Sequence, residues 1–376
     1  MEVVISADVL RRSDIDVTIA GLCGKEPIKC NNNLVIIPDA GLEDVKKEKF
    51  DAIILPGGWD NVQTMARSEE FGEFLREKET ESYIATFCHG PIALAKHCIG
   101  KGKFFNLQVT CYRYVDEKIV VDGNLITCEG PAAAFLFALK IVELLRNTKK
   151  AQEVADILLV DDYKEGRRNF GSFLKKPSIH EKKALNGKEP KSAVIIFANG
   201  AEEMEVVIPA DVLRRAKVVD VILAGLCDNK PVKCNQGLVI VPDCAMKDLE
   251  NRKFDAIVLP GGLENNLAMA ESDKFGEYLK KKEEESYIAA ICSGPLALAA
   301  HCIGKGKRVT SYPKVKPDLE SIYKYVDDEK VVVDGKLVTS QGPGTAFLFA
   351  LKLVELLKDK QEAKEIAKLL LVDNYC

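Results

Sequence analysis

Apolar residues fall along this chain in short uninterrupted blocks rather than at every second position. In the later part, runs at 193–197, 218–223, 238–241, 255–259 and 287–291 read as buried strands, because a strand covered on both faces shows no polar alternation. Segments with helical spacing separate several of them: EMEVVIPADVLRRA at 203–216, then 264–283, then 293–302, with two more at about 343–358 and 361–371. Buried strands alternating with helices predict a largely parallel sheet with helices on both faces. The expected fold is therefore α/β, a flavodoxin-like three-layer sandwich. In such sheets ligands bind beyond the carboxyl ends of the strands. That edge gathers the LPGG turn at 259–262 and a cysteine turn at 292.

The same blocks occur twice. At an offset of 204, Cys292 matches Cys88, Gly262 matches Gly58 and Gly225 matches Gly21. ADVLRR recurs at 7–12 and 210–215, and FLFALK at 135–140 and 347–352. A unit this long is a duplicated domain, not a solenoid repeat. Three regions follow: a first thiol domain at 1–162, a basic linker at 163–192 and a better-formed second thiol domain at 193–376. The linker carries Lys and Arg without periodicity, which reads as a solvated tether. The first copy begins at Met1-Glu2, matching Met204-Glu205, and has no counterpart of SAVIIFANGAE. It is expected to lack its opening strand, with a gap in the sheet or another segment filling it. It also carries an FFNL insertion near 104–112 and lacks about a dozen residues matching PKVKPDLESIYK.

Composition narrows the function classes. A length of 376 residues suits two domains, and a net charge of −4 gives no general attraction to nucleic acid or an anionic membrane. No stretch approaches eighteen uninterrupted apolar residues, and the first residues lack a signal-peptide pattern. The twelve cysteines include no C-x-x-C pair, and the four histidines show no metal-ligand spacing. Eight cysteines fall into register-matched pairs, 23/227, 30/234, 88/292 and 98/302, which duplication explains better than disulfide bonding. The expectation is mostly buried free thiols in a reducing compartment, cytoplasmic with nuclear or mitochondrial pools, and no metal or cofactor.

The candidate chemistry sits in ATFCHGPIALAKHCIG at 85–100 and AAICSGPLALAAHCIG at 289–304. Each cysteine ends an apolar run and precedes Gly-Pro and a helix pattern. A strand-to-helix turn exposes a nucleophile, as in hydrolase elbows, and a helix start favours thiolate, lowering its pKa. The Gly262 and Ser293 N–H groups are expected to form an anion pocket beside Cys292, with Gly58 as the equivalent glycine of the first copy. Glu205, in the first helical turn after the opening strand, faces the same edge as candidate acid/base; helix capping is the competing reading.

AEEMEVVIPADVLRRA, AGLCDNKPVKC, DAIVLPGG, AAICSGPLALAAH and TSQGPGTAFLFAL together resemble the DJ-1/PfpI superfamily, which includes the parkinsonism-associated deglycase. The resemblance runs through nearly all of 193–375 and, with the gaps noted, 1–162. It implies two flavodoxin-like (class I glutamine amidotransferase-like) sandwiches. It implies a cysteine that oxidises to sulfinate, and glyoxalase, deglycase or chaperone-like activity on methylglyoxal or glycated protein. By motif, Cys292 is the nucleophile, Glu205 its carboxyl partner, and Gly262 with Ser293 the anion pocket. Single-domain members are homodimers, so the two repeats are expected to pack as an intramolecular pseudodimer.

Two departures stand out. Where close relatives place a histidine, this chain has Tyr312, a poor base at neutral pH. His97 and His301, inside the helix after each thiol turn, read as structural. In the first copy CHGP resembles the branch in which histidine directly follows the cysteine, so His89 can activate Cys88. Its carboxylate, Glu2, lies at a chain end, where fraying is expected. The second site is thus the expected catalyst, with a redox-sensing chaperone or an inactive scaffold as the alternatives. A cysteine protease lacks its histidine in the second copy.

Overall fold

The computed structural model describes residues 1–105, 112–115, 117–163, 191–216, 219–372 and 375. Most of the predicted linker, 164–190, lies outside the described residues, as does 106–111 of the first-copy insertion. Among the described residues no helix is long and apolar enough to cross a membrane.

The second repeat forms a seven-stranded sheet. Its order is Cys244–Ala245, Val219–Gly225, Lys191–Phe197, Ala256–Leu259, Tyr287–Ile291, Leu337–Ser340 and Val331–Asp334. All neighbours run parallel except the last pair. The apolar runs are strands for the expected reason: Ala193 to Phe197 and Ala256 to Leu259 are fully buried between two helical layers. The segment 264–283, one helix by periodicity, is two helices, Leu263–Ala270 and Asp273–Lys282. Ser272 interrupts it, adopting an extended backbone and accepting the N–H of Phe275 at 3.3 Å as an N-cap.

In the first repeat the sheet is in two pieces. Ala52–Leu55, Tyr83–Phe87, Leu125–Cys128 and Ile119–Asp122 form one, and Ala20–Gly21 pairs with Ala40–Gly41 in the other. Among the described residues no strand occupies the place that Lys191–Phe197 takes in the second repeat. Ile53 and Ile54 are consequently half-buried, whereas their counterparts Ile257 and Val258 are fully buried.

The repeats meet through their helices and through a small sheet. Helices Glu2–Arg12 and Ala134–Leu145 of the first copy share one apolar cluster with Glu203–Arg215 and Ala346–Leu357 of the second. Val35–Ile37 pairs antiparallel with Val239–Ile240, with Ile28–Lys29 and Val232–Lys233 at the edges. Arg11 donates to the Gln236 carbonyl and Arg214 to the Asn32 carbonyl, both at 2.8 Å.

Among the described residues the cysteines are free thiols. The expectation that most are buried is overturned: only Cys128 and Cys234 are, while Cys23, Cys98, Cys227 and Cys302 are exposed. Cys98 and Cys302 end their helices in the left-handed region, with φ of 60° and 59°. That conformation turns the side chain to solvent, away from the apolar face.

Candidate active site

Strand Tyr287–Ile291 delivers Cys292 to the carboxyl edge of the sheet, and helix Pro295–Ala300 carries the chain away. Pro295 opens that helix because its missing N–H costs nothing in the first turn. Between them Cys292 takes φ of 62°, a strained conformation for a residue with a Cβ. Cys88 repeats the strain at φ of 48°. The elbow predicted from sequence is therefore present in both copies.

Glu205 lies on the first turn of helix Glu203–Arg215 and is fully buried. Its Oε2 accepts the Gly261 N–H at 2.7 Å, the carboxyl and the Cys292 thiol flank Gly261 from two sides, and among the described residues Oε1 is buried without a hydrogen-bond partner. Gly261 explains how the two approach. A Cβ there would lie 2.8 Å from Glu205 Oε2 and 3.0 Å from Cys292 Sγ, so only glycine leaves room. Burial pushes the Glu205 carboxyl up to about 8, against the Gly261 hydrogen bond, which pulls it down. It is a carboxyl that holds a proton near neutral pH.

The thiol departs from the sequence expectation. A helix start was expected to lower its pKa; burial, followed by the charges of Glu205 and Glu202, pushes Cys292 well above the usual thiol value. The Ser293 N–H opposes this but is outweighed. Both groups resist ionisation, so each keeps its own proton near neutral pH, and ionising one makes ionising the other harder.

The predicted anion pocket is half formed. The Ser293 N–H favours the anionic form of the sulfur, but the Gly262 N–H donates to Ser293 Oγ at 3.2 Å. Asn266 Nδ2 donates to the same oxygen at 2.6 Å. Both lone pairs of the hydroxyl are thereby engaged, leaving its proton as the free donor. Gly262, at φ of 103°, is required: a Cβ there would fall 2.0 Å from the Gly200 carbonyl oxygen. Tyr312 donates its N–H to the Cys292 carbonyl at 2.9 Å, and its half-buried phenol is pushed up by burial and the neighbouring thiol.

Several residues of the site were not singled out from the sequence. Arg12, from the first repeat, reaches across and hydrogen-bonds Glu202 as well as Asp8, the latter at 2.5 Å. Asp8, Glu202 and Glu203 bring carboxylate oxygens within 4.8 Å of one another beside it. Burial and the charge of Asp8 push Glu202 well up, against the Arg12 guanidinium, which pulls it down. Glu203, pushed up to about 7 by burial, accepts the single backbone N–H of Gln236 with both of its oxygens, at 3.0 and 3.1 Å. Asn265 fastens the LPGG turn, with Nδ2 on the Pro260 carbonyl at 3.1 Å and Oδ1 on the Ala198 N–H at 2.7 Å. A signal for it existed: PGGLEN at 260–265 repeats PGGWDN at 56–61.

The first site is better organised than its position at a chain end suggests. Glu2 is held in helix Glu2–Arg12, its Oε2 accepting the Gly57 N–H at 2.6 Å. A Cβ on Gly57 would lie 2.9 Å from that oxygen and 3.0 Å from Cys88 Cβ. The expected fraying is thus overturned by the contact with the PGG turn. Gly58, at φ of 88°, opens helix Trp59–Arg67 as Gly262 opens its own. Cys88 Sγ lies 3.0 Å from His89 Nδ1, and Trp59, largely exposed, meets the imidazole edge-on at 5.9 Å. Burial and then Glu2 push the Cys88 thiol up to about 11.

His97 and His301 are structural, as their place in the helix suggested. Their Nε2 atoms lie 2.8 Å from the carbonyls of Met65 and Met269. Gly72 and Gly276 make room for them: a Cβ would fall 2.3 and 2.2 Å from the respective Nδ1.

The model of the DJ-1/PfpI family matches residues 1–144 and 191–356. "Protein DJ-1 homolog B" of Arabidopsis thaliana is 31% identical over 382 residues, covering 99% of this chain and 85% of its own length. "Glutathione-independent glyoxalase DJR-1.2" of Caenorhabditis elegans is 44% identical over 181 residues, 47% of this chain and 95% of its own. Among solved structures, DJ-1beta of Drosophila melanogaster is 51% identical, covering 48% of this chain and 98% of that one, with a TM-score of 0.48.

Proposed function

The chain belongs to the DJ-1/PfpI family, and from that premise we propose that its second repeat is a cysteine-dependent glyoxalase and deglycase for methylglyoxal and its early protein adducts. The observation that carries the reading is the pairing of Cys292 with a buried, proton-holding Glu205 across Gly261. The name of the Caenorhabditis elegans relative points the same way.

The chemistry needs only groups already in place. In the fraction of molecules with Glu205 ionised, the carboxylate takes the Cys292 proton as the sulfur adds to the aldehyde carbon of methylglyoxal and passes it to the carbonyl oxygen, giving a hemithioacetal and leaving Glu205 ionised. Ionised Glu205 then takes the proton from the carbon bearing sulfur and returns it to the adjacent carbon, a 1,2 shift within one carboxyl's reach. The product is a lactoyl thioester, which water cleaves to lactate and free thiol. The free Ser293 hydroxyl proton and the Ser293 N–H stabilise oxygen anions as they form. On a glycated amine or thiol the same attack frees the protein group. The two repeats, joined through helices and the Val35–Ile37 to Val239–Ile240 pairing, act for each other as the two protomers of a dimer would.

The test is lactate formation from methylglyoxal by wild type, Cys292→Ser and Cys88→Ser. Loss in Cys292→Ser with most activity kept in Cys88→Ser supports the reading; equal rates in wild type and Cys292→Ser remove it. A second reading, redox sensing in oxidative-stress protection, is favoured by one observation: the Ser293 N–H and protonated Glu205 both offer donors to an oxidised Cys292 sulfur. Mild peroxide then oxidises Cys292 before exposed Cys302, as read by peptide mass spectrometry.

A further inference from the structure

Cys128, the fully buried last residue of strand Leu125–Cys128, has no part in the chemistry above. It pairs in register with Phe87, and the Cys88 N–H donates to its carbonyl at 2.9 Å. Parallel strands lie about 4.8 Å apart. One rung of offset therefore leaves the two α-carbons within the roughly 4.4–6.8 Å that a disulfide spans. Phe87 shares the face of Cys128, and the strand ends there, so Cys88 sits on the turn at φ of 48° and is released from the alternation of the pleat. Both cysteines pack against the apolar cluster built on helices Glu2–Arg12 and Ala134–Leu145. The Cys128 thiol also feels the charges of Glu2 and Cys88.

The two thiols differ as an attacking and a resolving sulfur should. Cys88 is half-buried, with His89 Nδ1 at 3.0 Å. Cys128 is enclosed, and its thiol is held only by a long contact, 3.8 Å, to the Gly130 carbonyl. In the second repeat a serine, Ser340, stands in the place of Cys128. There the N–H of Cys292 donates to the carbonyl of Ser340, whose hydroxyl contacts the Lys330 carbonyl and Thr345 Oγ1, both at 2.7 Å. The duplicated sites thus differ in a second sulfur directly beside the first.

We propose that Cys88 and Cys128 form an intramolecular dithiol–disulfide pair, oxidised by hydroperoxides, in the first repeat alone. Cys88 passes its proton to His89 and its sulfur attacks one peroxide oxygen. The O–O bond breaks, the other oxygen leaves with a proton as alcohol or water, and Cys88 becomes a sulfenic acid, two electrons oxidised. Cys128 sulfur then attacks Cys88 sulfur; the S–S bond forms, the S–O bond breaks, and the hydroxyl leaves as water with the Cys128 proton. Two thiols and one hydroperoxide give one disulfide, one alcohol and one water. Cys292, with Ser340 in that place, goes on to sulfinate under the same dose.

The test uses the full chain treated with hydrogen peroxide near stoichiometry, alkylated, digested and read by non-reducing mass spectrometry. Wild type is expected to yield a Cys88–Cys128 linked peptide that dithiothreitol dissolves. Cys128→Ser, which installs the residue the second repeat carries at Ser340, is expected to raise Cys88 sulfinate about tenfold or more. The linked peptide should persist in Cys292→Ser, which separates this pair from the dicarbonyl chemistry. Cys88 sulfinate forming equally in wild type and Cys128→Ser, without a linked peptide, overturns the proposal. So does a Cys88 link found only between two chains. If Cys128→Ser does not fold, the linked peptide in wild type and in Cys292→Ser decides.

Discussion

At the scale of single residues, burial outweighs the helix start. The sequence placed Cys292, Glu205, Gly262 and Ser293 at one sheet edge because each sits in a segment spelled twice. The sign of the thiol's shift was not legible, because desolvation depends on what surrounds the sulfur and no local pattern reports it. Glu205 makes the consequence measurable. Its carboxyl titrates at about 8 when folded and near 4.5 when unfolded. Below pH 4.5 both states are protonated and nothing is lost. Between 4.5 and 8 the folded state must keep a proton that the unfolded state releases, so stability falls as pH rises. Glu205→Gln removes that penalty while still accepting from Gly261. Its melting temperature should match wild type near pH 4.5 and exceed it by a margin that grows to pH 8, at about 2–4 °C per kcal/mol. Lactate formation should rise with pH through about 8 in wild type and drop about 100-fold or more in Glu205→Gln. A flat melting difference across that range would refute the assignment of a buried proton.

Among the elements, the turns and strands were legible and the helix ends less so. The break at Ser272 was missed because the apolar spacing runs across it, while the capping hydroxyl is a single-residue signal. The gap in the first sheet was legible, since SAVIIFANGAE has no first-copy counterpart. Its effect should appear in hydrogen exchange. The amides of 52–55, beside half-buried Ile53 and Ile54, should exchange at least about tenfold faster than those of 256–259. Equal protection would mean that another segment covers that edge. The LPGG turn gives a sharper test. Gly261→Ala drives a methyl between Glu205 and Cys292 and should abolish lactate formation while the protein still folds. Gly262→Ala, placed against the Gly200 carbonyl with a left-handed φ, should lower stability by about 1–3 kcal/mol from backbone strain, before any clash is counted.

Across the whole molecule, the second site depends on the first repeat. Arg12 links Asp8 of its own helix to Glu202, three residues before Glu205. No sequence pattern announces this, because the contact joins positions 190 residues apart. Removing one member of a buried ion pair leaves the other charge unpaired, at a cost of about 3–5 kcal/mol. Arg12→Met should therefore destabilise the chain by that order in urea titration and reduce Cys292-dependent lactate formation. The matching Arg215→Met should disturb less, since among the described residues Arg215 has an ion pair with Asp211 but no second one like that of Arg12 with Glu202. Equal losses in the two variants would show that the cluster around Glu202 contributes nothing special.

The two repeats are spelled by one polypeptide, and that has a consequence for how their thiols can differ. In an assembly of identical subunits a single codon change alters both halves at once, so neither can specialise while the other is kept. Here His89 and Trp59 stand on one side and Ser293 and Asn266 on the other, each free to vary without its twin. Tethering also removes dilution as a way to part the halves, so the unlike sites stay together at any abundance of the protein.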